Sequence, residues 1–498
     1  MATQKIIDIK GGDWSKGISA KQSLAVGGLF STMRNVDPFD NSGVAKPSVV
    51  PDSFTPTSGT PLFLTNFNKS GTAYLLSHST TDIYDVLRAS PYTQTSRTSR
   101  ISVASAVQGA IIWSSPTDGV LGYVYATASN GLRFCRLPLE TYTDTQILTG
   151  FNDGNMDSRA MCVGADKNLY VADSPRIDII TRTNGTTGNA GVAWIDSGFV
   201  VRDIVNDGTY LVIIADNNTS ATASRTVGDY QCRVYFWDMS KVDGSNFLVA
   251  DAVYDIIGDS YLSVAKVIDG NTYIFGYNGI YVCNSATAPK MIRPFTGGNT
   301  LALGRPSIPY QVGTSKGVIY WIDGGTDTTK KHYVYAYGNP YGGQKIFYVP
   351  YQDTGADQLQ KVLTMSGDNI WVGGDTPKIY VHNTGSTQGN ATIKTIDITM
   401  PETHRFEYAK VVLREPMSSG MSVQFLASTQ NDGKFIASET KSYSASNPRQ
   451  VLKFNKSQVS ADNGLFENIR ATVVLTGGAC IQRLTVYATP INDTDESI

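Results

Sequence analysis

The chain has 498 residues, of which 41% are hydrophobic and 17% charged, and 41 Lys plus Arg face 43 Asp plus Glu. This length allows several domains with a sizeable core, and the balanced charge lacks the basic excess typical of nucleic-acid-binding proteins. We expect no membrane insertion, because the sequence has neither a signal-peptide-like apolar run nor about 18 consecutive apolar residues. The 47 glycines and 27 tyrosines favour β structure.

Residues 1–60 are predicted to form an extended arm. The stretch LFSTMRNVDPFDNSGVAKPS, at 29–48, contains Pro38, Gly43 and Pro47, which favour successive turns over a regular helix or strand. Such an arm needs a surface to lie on. It either adds a strand to the domain that follows or pairs with the sheet edge of a neighbouring subunit, and KIIDI at 5–9 is the candidate strand. Closure within the chain is favoured, because open edges invite aggregation.

Residues 61–385 contain a recurring pattern. A short aromatic or β-branched segment is followed by a turn rich in Gly, Asn, Asp or Pro and then by a second such segment, which is typical of a β-hairpin. Several of these hairpins follow a further short apolar segment, so each unit has at least three strands. The seven hairpin units lie at 72–87, 122–137, 168–183, 209–240, 272–285, 318–338 and 369–383.

The first strands of these units are about 40 to 60 residues apart, which is in the range of propeller blades. A single blade cannot bury both faces of its sheet, whereas a ring of blades buries a continuous core. We therefore predict an all-β protein with an irregular seven-bladed β-propeller. The alternative is a pair of β-sandwiches whose hairpins recur by chance.

The pattern changes after a polar linker at 382–392. Residues 391–498 contain segments in which apolar and polar residues alternate, separated by Gly-containing turns, and this predicts a C-terminal antiparallel β-sandwich. The last residues, INDTDESI, are expected to be a frayed acidic tail.

We find no motif for catalysis or for cofactor binding. The sequence lacks HExxH, a Gly-x-Ser-x-Gly elbow and a phosphate-binding GxxxxGK[ST] loop, and GNPYGGQK at 338–345 is interpreted as a blade turn. The four histidines, His78, His332, His382 and His404, are expected to be surface or packing residues. The closest match to a sialidase Asp box, STQNDGKF at 428–435, is interpreted as an ordinary turn.

Metal sites and disulfides are not predicted either. The acidic turns at 150–158 and 323–327 lack the ligand spacing of a calcium loop. The five cysteines, at positions 135, 162, 232, 283 and 480, are scattered and odd in number, so we expect free buried thiols. We assign no catalytic, cofactor-binding or metal-binding residue.

The stretch GGDWSKGISAKQSLAVGGLFSTMRNVDPFDNSGVAKPS, at 11–48, resembles the N-terminal segment of tailed-bacteriophage virion proteins. The resemblance consists of a "GG..GL" beginning, a short apolar patch, an Asn-x-Asp-Pro turn and a "K.S" strand. In those proteins the N-terminal segment is followed by a β-propeller and then by a β-sandwich, so the resemblance implies the same architecture for this chain. The resemblance supplies no catalytic residue.

The resemblance implies a non-enzymatic structural component of a phage virion, in the tail or in a nozzle-like head-to-tail hub. Its expected partners are other tail or connector proteins and further copies of itself in a ring, with at most passive proximity to DNA. We expect assembly in the host cytoplasm and a final location in the virion tail. The alternatives are a receptor module that binds glycan through exposed aromatics such as Trp194, Trp321 or Trp371, and a propeller-fold glycan hydrolase or lyase.

Overall fold

The computed structural model describes most, but not all, of the residues of the chain. The described residues are 3–18, 30–40, 44–48, 52–57, 61–69, 71–79, 82–89, 91–101, 107–117, 119–127, 131–139, 141–151, 159–183, 186–217, 230–240, 242–295, 312–322, 333–352, 360–366, 369–374, 379–382, 390–429, 435–456 and 464–491. They form an all-β structure with no α-helix among them and two short 3-10 helices, Gly11–Lys16 and Thr98–Arg100.

The N-terminal segment contributes five strands that are distributed over different parts of the fold. The strands are β1 (Gln4–Lys10), β2 (Phe30–Arg34), β3 (Val36–Asp40), β4 (Val44–Pro47) and β5 (Asp52–Phe54).

Five four-stranded antiparallel sheets follow one another along the chain and are numbered here as blades 1 to 5. Blade 1 contains β6 (Phe63–Lys69), β7 (Thr72–His78), β8 (Ile83–Leu87) and β9 (Gln94–Ser96), and blade 2 contains β10 (Val107–Ser114), β11 (Leu121–Thr127), β12 (Gly131–Arg136) and β13 (Thr145–Leu148). Blade 3 contains β14 (Met161–Val163), β15 (Leu169–Asp173), β16 (Arg176–Thr183) and β17 (Thr186–Trp194), and blade 4 contains β18 (Val200–Asn206), β19 (Leu211–Asp216), β20 (Cys232–Trp237) and β21 (Ala252–Asp255). Blade 5 contains β22 (Leu262–Ile268), β23 (Asn271–Gly276), β24 (Gly279–Asn284) and β25 (Thr287–Pro294).

Two further groups of strands follow before the C-terminal region. The first comprises β26 (Val312–Ser315), β27 (Val318–Ile322), β28 (Tyr333–Gly338) and β29 (Ile346–Gln352). The second comprises β30 (Gln360–Ser366), β31 (Asn369–Gly374) and β32 (Ile379–Val381), and strand β5 pairs with β32 to complete blade 6.

The six small sheets form a β-propeller of six blades, which confirms the predicted propeller but differs from the seven blades predicted. The hairpin at 318–338 does form, as β27 and β28, yet β26–β29 belong to a larger, 15-stranded sheet. The reason is that β2 pairs in parallel with β29, through Arg34 and Val349, and links these strands to the C-terminal region. The first strand of this group, β26, contacts β22 of blade 5 and β30 of blade 6.

The C-terminal strands, together with β1–β4 of the N-terminal arm, form the rest of the larger sheet, which folds over a common core in the manner of a sandwich. Two long strands, β34 and β38, pair with each other and with several neighbours. The strands are β33 (Ala391–Thr395), β34 (Ile398–Leu413), β35 (Ser422–Ser428), β36 (Phe435–Ser442), β37 (Val451–Asn455), β38 (Leu465–Thr476) and β39 (Ile481–Pro490).

The N-terminal arm closes the propeller of its own chain. Ser53 of β5 pairs with Tyr380 of β32, so the outer strand of blade 6 comes from the N-terminus. The prediction that KIIDI would supply this strand is wrong, because β1 pairs with β39 instead. Its alternating side chains explain this pairing, since Ile7 and Ile9 enter the core that lies beneath β39.

The arm also docks between the propeller and the C-terminal strands. Trp14 is buried, stacks on Phe30 and donates a hydrogen bond from Nε1 to the carbonyl oxygen of Gln482 at 3.0 Å. Gly17 has a φ of 67°, and a Cβ at this position would lie 2.6 Å from Cβ of Ile346. The arm therefore requires glycine where it passes over β29.

Buried apolar clusters lie between adjacent sheets, as expected for a propeller. Leu75 of blade 1, for example, shares a cluster with Trp371 and Val381 of blade 6. Blades 4 and 5 are also joined by carboxylates: Asp216 accepts a hydrogen bond from the Leu262 amide at 2.9 Å, and Asp203 accepts one from the Ala265 amide at 2.9 Å. Burial raises the pKa of Asp203 to about 6.

Candidate functional site

The histidines that the structure describes are packing residues, in agreement with the sequence interpretation, whereas His332 lies outside the described residues. His78 and His382 are buried, and burial lowers the pKa of each imidazole to about 3. His78 Nδ1 lies 2.5 Å from the Tyr123 hydroxyl, and His404 Nδ1 lies 2.8 Å from the carbonyl oxygen of Glu402. These contacts tie the imidazoles to the core and to the backbone.

The two lowered imidazole pKa values make stability depend on pH. Between pH 6.5 and 3 the unfolded chain binds protons that the folded chain excludes, so the free energy of unfolding falls as the pH drops through this range and is unaffected above it. At pH 5 the loss is about 2 kcal/mol per histidine. His78→Gln should therefore flatten the pH dependence of the unfolding free energy, measured by denaturant titration from pH 7 to 4. A variant whose pH dependence parallels that of the wild type would contradict this assignment.

The tryptophans named for glycan recognition do not form an exposed platform. Trp321 and Trp371 are buried, and only Trp194 is partly accessible. Trp321 and Trp371 pack in the interior of the propeller, where Trp321 stacks on Tyr335 and Trp371 packs edge-on against Phe54.

Other features singled out in the sequence are only partly within the described residues. The acidic turn at 323–327, residues 152–158 of the other acidic turn and residues 430–434 of the Asp-box-like stretch lie outside them.

Within the described ranges, no group of three His, Cys, Asp or Glu side chains is placed to hold a metal ion. Nor does any helix there have the length and apolar character needed to cross a membrane. Four of the five cysteines are buried free thiols, as predicted, whereas Cys480 is partly accessible.

An apolar and acidic surface lies at the outer edge of blade 4, and we call it the acidic rim. Its strand β21 is an edge strand among the described residues, since it pairs with β20 alone. Residues 238–257 contain four aspartates and one lysine. The acidic rim consists of the exposed Val242, Asp243, Phe247, Val249, Asp251, Val253 and Asp255.

Hydrogen bonds anchor the loop of the acidic rim that precedes β21. Leu248 donates to the carbonyl oxygen of Trp194 at 2.9 Å, which ties the loop before β21 to blade 3. Asp243 Oδ1 accepts from the amides of Ser245 and Phe247 at 2.8 and 2.9 Å. The exposed valines are therefore held in place, and a fixed apolar patch on a protein surface commonly marks an interaction site.

A second surface, the basic face, covers the outer side of four strands of the C-terminal sheet. Cross-strand pairs place Lys453 opposite Lys410, and Arg483 opposite Lys10. Strands β37, β34, β39 and β1 alternate, so that their other side chains enter the core. The basic face consists of Lys5, Asp8, Lys10, Tyr408, Lys410, Val451, Lys453, Arg483 and Tyr487.

Side-chain contacts position Arg483 and Lys453, two of the basic residues of the basic face. Arg483 donates two hydrogen bonds of 2.7 Å to Asp8, and this pair lowers the pKa of the Asp8 carboxyl. The rings of Tyr408 and Tyr487 stack with centroids 4.5 Å apart, and the Lys453 ammonium lies 4.3 Å from the Tyr408 ring centroid. Five basic side chains and one acidic side chain thus surround a pair of aromatic rings.

The acidic rim and the basic face are complementary in charge, although Asp255 of the rim is already paired with Arg233. The rim exposes three valines and Phe247, whereas the basic face exposes Val451 and leaves Tyr408 and Tyr487 half-buried. Opposite surface charges steer two molecules together and set their register, while apolar contacts provide most of the affinity. Because the two surfaces differ, contact between them would be head-to-tail, and such contacts close into rings when the rotation allows. Sequence reasoning missed both surfaces, since the basic face draws on strands at opposite ends of the chain.

Comparisons with known proteins provide no functional assignment. No protein-family model matches the chain, and no curated protein matches it. Among solved structures, a chain of the mitotic checkpoint complex is similar with a TM-score of 0.42 and 12% identity, covering 67% of this chain and 95% of that chain. The computationally designed Ika8 protein has a TM-score of 0.39 and 10% identity, covering 74% of this chain and 98% of its own. Neither likeness carries a functional argument at these values.

Proposed function

We propose that this protein is a non-enzymatic structural component of a tailed-phage virion that assembles in the tail or in a nozzle-like head-to-tail hub. The observation that carries the proposal is the pair of complementary surfaces, the acidic rim and the basic face, on one chain. The resemblance of residues 11–48 to virion proteins supports the same assignment. In this role the protein positions and seals its neighbours, and no bond is made or broken.

The proposed partners are further copies of the chain and other tail or connector proteins, with DNA passing close by without a dedicated site. Strands β26–β29 act in this proposal as a seventh blade, because β26 contacts both β22 and β30. The N-terminal arm and the C-terminal strands then lock this blade from the outside. Assembly takes place in the host cytoplasm, and the finished protein resides in the virion tail.

Head-to-tail contact predicts that two defective variants will repair each other. Lys410→Glu with Lys453→Glu cancels the charge excess of the basic face, leaving three basic and three acidic side chains, and Asp251→Lys with Val253→Lys leaves two acidic and two basic side chains on the acidic rim. In a mixture, the intact acidic rim of the first variant can still bind the intact basic face of the second. We expect the wild type to associate at about 0.1 M salt and to dissociate at about 1 M, where the screening length falls to about 3 Å. Each double variant alone should be monomeric, and a one-to-one mixture should associate again. Light scattering coupled to size-exclusion chromatography measures the molar mass of the wild type, of each double variant and of their mixture.

The matched control changes the same charge elsewhere. Lys167 and Lys316 are exposed in turns of blade 3 and of the β26–β29 group, and Lys167→Glu with Lys316→Glu should associate like the wild type. Circular dichroism must show that every variant is folded. A wild type that stays monomeric at the highest soluble concentration, or a mixture that stays monomeric, would rule out this mode of assembly.

A further inference from the structure

A cleft with a volume of about 310 Å³ lies where the N-terminal arm meets the β26–β29 group. One wall is the β3–β4 hairpin of the arm, with Phe39 and Asp37, and Ser48 follows directly after β4. The opposite wall is formed by Tyr320 of β27 and by Tyr341, which lies in the turn between β28 and β29. Ligand sites commonly have volumes of about 300 to 1,000 Å³, so the cleft is at the small end of this range.

An aromatic pair packs at the base of the cleft. Tyr348 is buried and packs edge-on against Phe39 with ring centroids 5.3 Å apart. Burial raises the pKa of the Tyr348 phenol, and its hydrogen bond to Tyr320 and the nearby Asp37 carboxylate act in the same direction. Tyr348 therefore remains a neutral phenol throughout the physiological pH range. The rest of the lining is apolar and consists of Val36, Ile370 and three prolines, at positions 47, 340 and 350.

One side chain of the cleft is unusually accessible. Tyr341 is 70% exposed, although large aromatic side chains are normally covered. The Tyr341 amide donates to Asn339 Oδ1 at 3.0 Å, and the Gly342 amide donates to the Asn339 carbonyl at 3.1 Å, so the turn holds the ring at the mouth of the cleft. An exposed tyrosine in a fixed turn offers both a flat apolar face and a hydroxyl group to a ligand.

The charges of the cleft restrict what can bind there. Among the described residues that line it there is no lysine, arginine or histidine, and Asp37 is the acidic one. An anionic ligand would lie next to this carboxylate with no compensating charge. The hydrogen-bonding groups are instead three phenols, the Ser48 hydroxyl and the Asp37 carboxylate. Asp37 Oδ1 accepts from the Phe39 amide at 3.0 Å, which orients the carboxylate.

We propose that this cleft binds one neutral sugar residue, either of a surface glycan or as a free saccharide. A pyranose ring combines an apolar C–H face with a rim of hydroxyl groups, and the cleft pairs aromatic walls with phenols and a carboxylate in the same way. Tyr341 stacks against the sugar face, and Asp37 and Ser48 accept hydrogen bonds from adjacent hydroxyls. The site is independent of the acidic rim and the basic face, so its failure would leave the proposed assembly intact.

Saturation-transfer difference NMR of the full chain tests the site. The probes are the methyl glycosides of glucose, galactose, mannose and N-acetylglucosamine, with glucosamine as a cationic probe and N-acetylneuraminic acid as an anionic probe. We expect saturation of at least one neutral glycoside and none of the anionic sugar. Tyr341→Ala should abolish the signal, and Asp37→Asn should weaken it several-fold while retaining an oxygen for the Phe39 amide.

Phe435→Ala is the matched control, because Phe435 is an exposed aromatic residue of the C-terminal sheet, 48% accessible. This variant should bind like the wild type. The proposal is overturned if no neutral glycoside is saturated, or if Tyr341→Ala binds as well as the wild type. Binding of glucosamine alone would also overturn it and would assign the cleft to a cation held by Asp37 and the rings.

Discussion

A chain that lacks residues 1–57 is expected to lose cooperative folding. The deletion removes β5 from blade 6, β1 from the C-terminal sheet and the buried Trp14 from the core that the C-terminal sheet shares with blade 5 and the β26–β29 group. Removing a single buried Phe or Trp side chain typically costs about 3–5 kcal/mol, and here several are lost together. Since a whole domain is stabilised by only about 5–15 kcal/mol, the remaining chain should aggregate. Thermal melting followed by circular dichroism measures the loss of cooperative unfolding, and size-exclusion chromatography measures the aggregation.

A single substitution tests ring closure more finely. Phe54 of β5 stacks on Tyr92 of blade 1 with centroids 5.1 Å apart and also contacts Trp371. Phe54→Ala should lower the free energy of unfolding by about 2–3 kcal/mol, less than for a fully buried ring. Phe435→Ala, at an exposed position, should change it by less than about 0.5 kcal/mol. A truncated chain that melts like the full chain would show that the arm does not close the propeller.

Asp216→Ala is expected to be the most damaging single substitution between the blades. Asp216 is fully buried and accepts two hydrogen bonds from the Arg202 guanidinium, at 3.0 and 2.8 Å, in addition to the Leu262 amide of blade 5. The substitution leaves a largely buried guanidinium without its carboxylate, which typically costs about 3–5 kcal/mol. Denaturant titration at pH 7 should show a matching fall in the free energy of unfolding.

The matched control lies on the same blade. Asp255 also pairs with an arginine, Arg233, but the Asp255 side chain is 64% exposed. Exposed ion pairs contribute about 0–1 kcal/mol, so Asp255→Ala should be close to neutral. Equal effects of the two substitutions would contradict the role of Asp216 as a buried link between blades 4 and 5.

The hairpins could be predicted from the sequence because each propeller strand has a local signature. Segments such as Leu211–Asp216 consist almost entirely of β-formers, and in the structure every side chain of this strand is buried. The turns carry the glycines and asparagines that hairpins need. Trp321 and Trp371 lie in such segments and are likewise buried.

The remaining features depend on pairings between distant parts of the chain. The parallel pairing of Arg34 with Val349 merges the β26–β29 group with the C-terminal sheet, and no local sequence pattern predicts this pairing. Strand β36 does not show the alternation of the other C-terminal strands, because its sequence, FIASETKS, is mostly polar. The basic face could not be predicted from the sequence, because its lysines, at positions 5, 10, 410 and 453, lie at opposite ends of a chain with balanced total charge. The cleft likewise required the turn that carries Tyr341 and the arm to meet in space.

The measurement that tests the central claim most directly is electron microscopy of purified phage particles in which this protein carries a small tag after Ile498. Mass spectrometry of the same particles must first detect the chain. The structural assignment predicts label in a ring or cluster on the tail axis. Label confined to peripheral fibres would favour receptor recognition instead, and particles that lack the protein altogether would contradict the assignment to the virion.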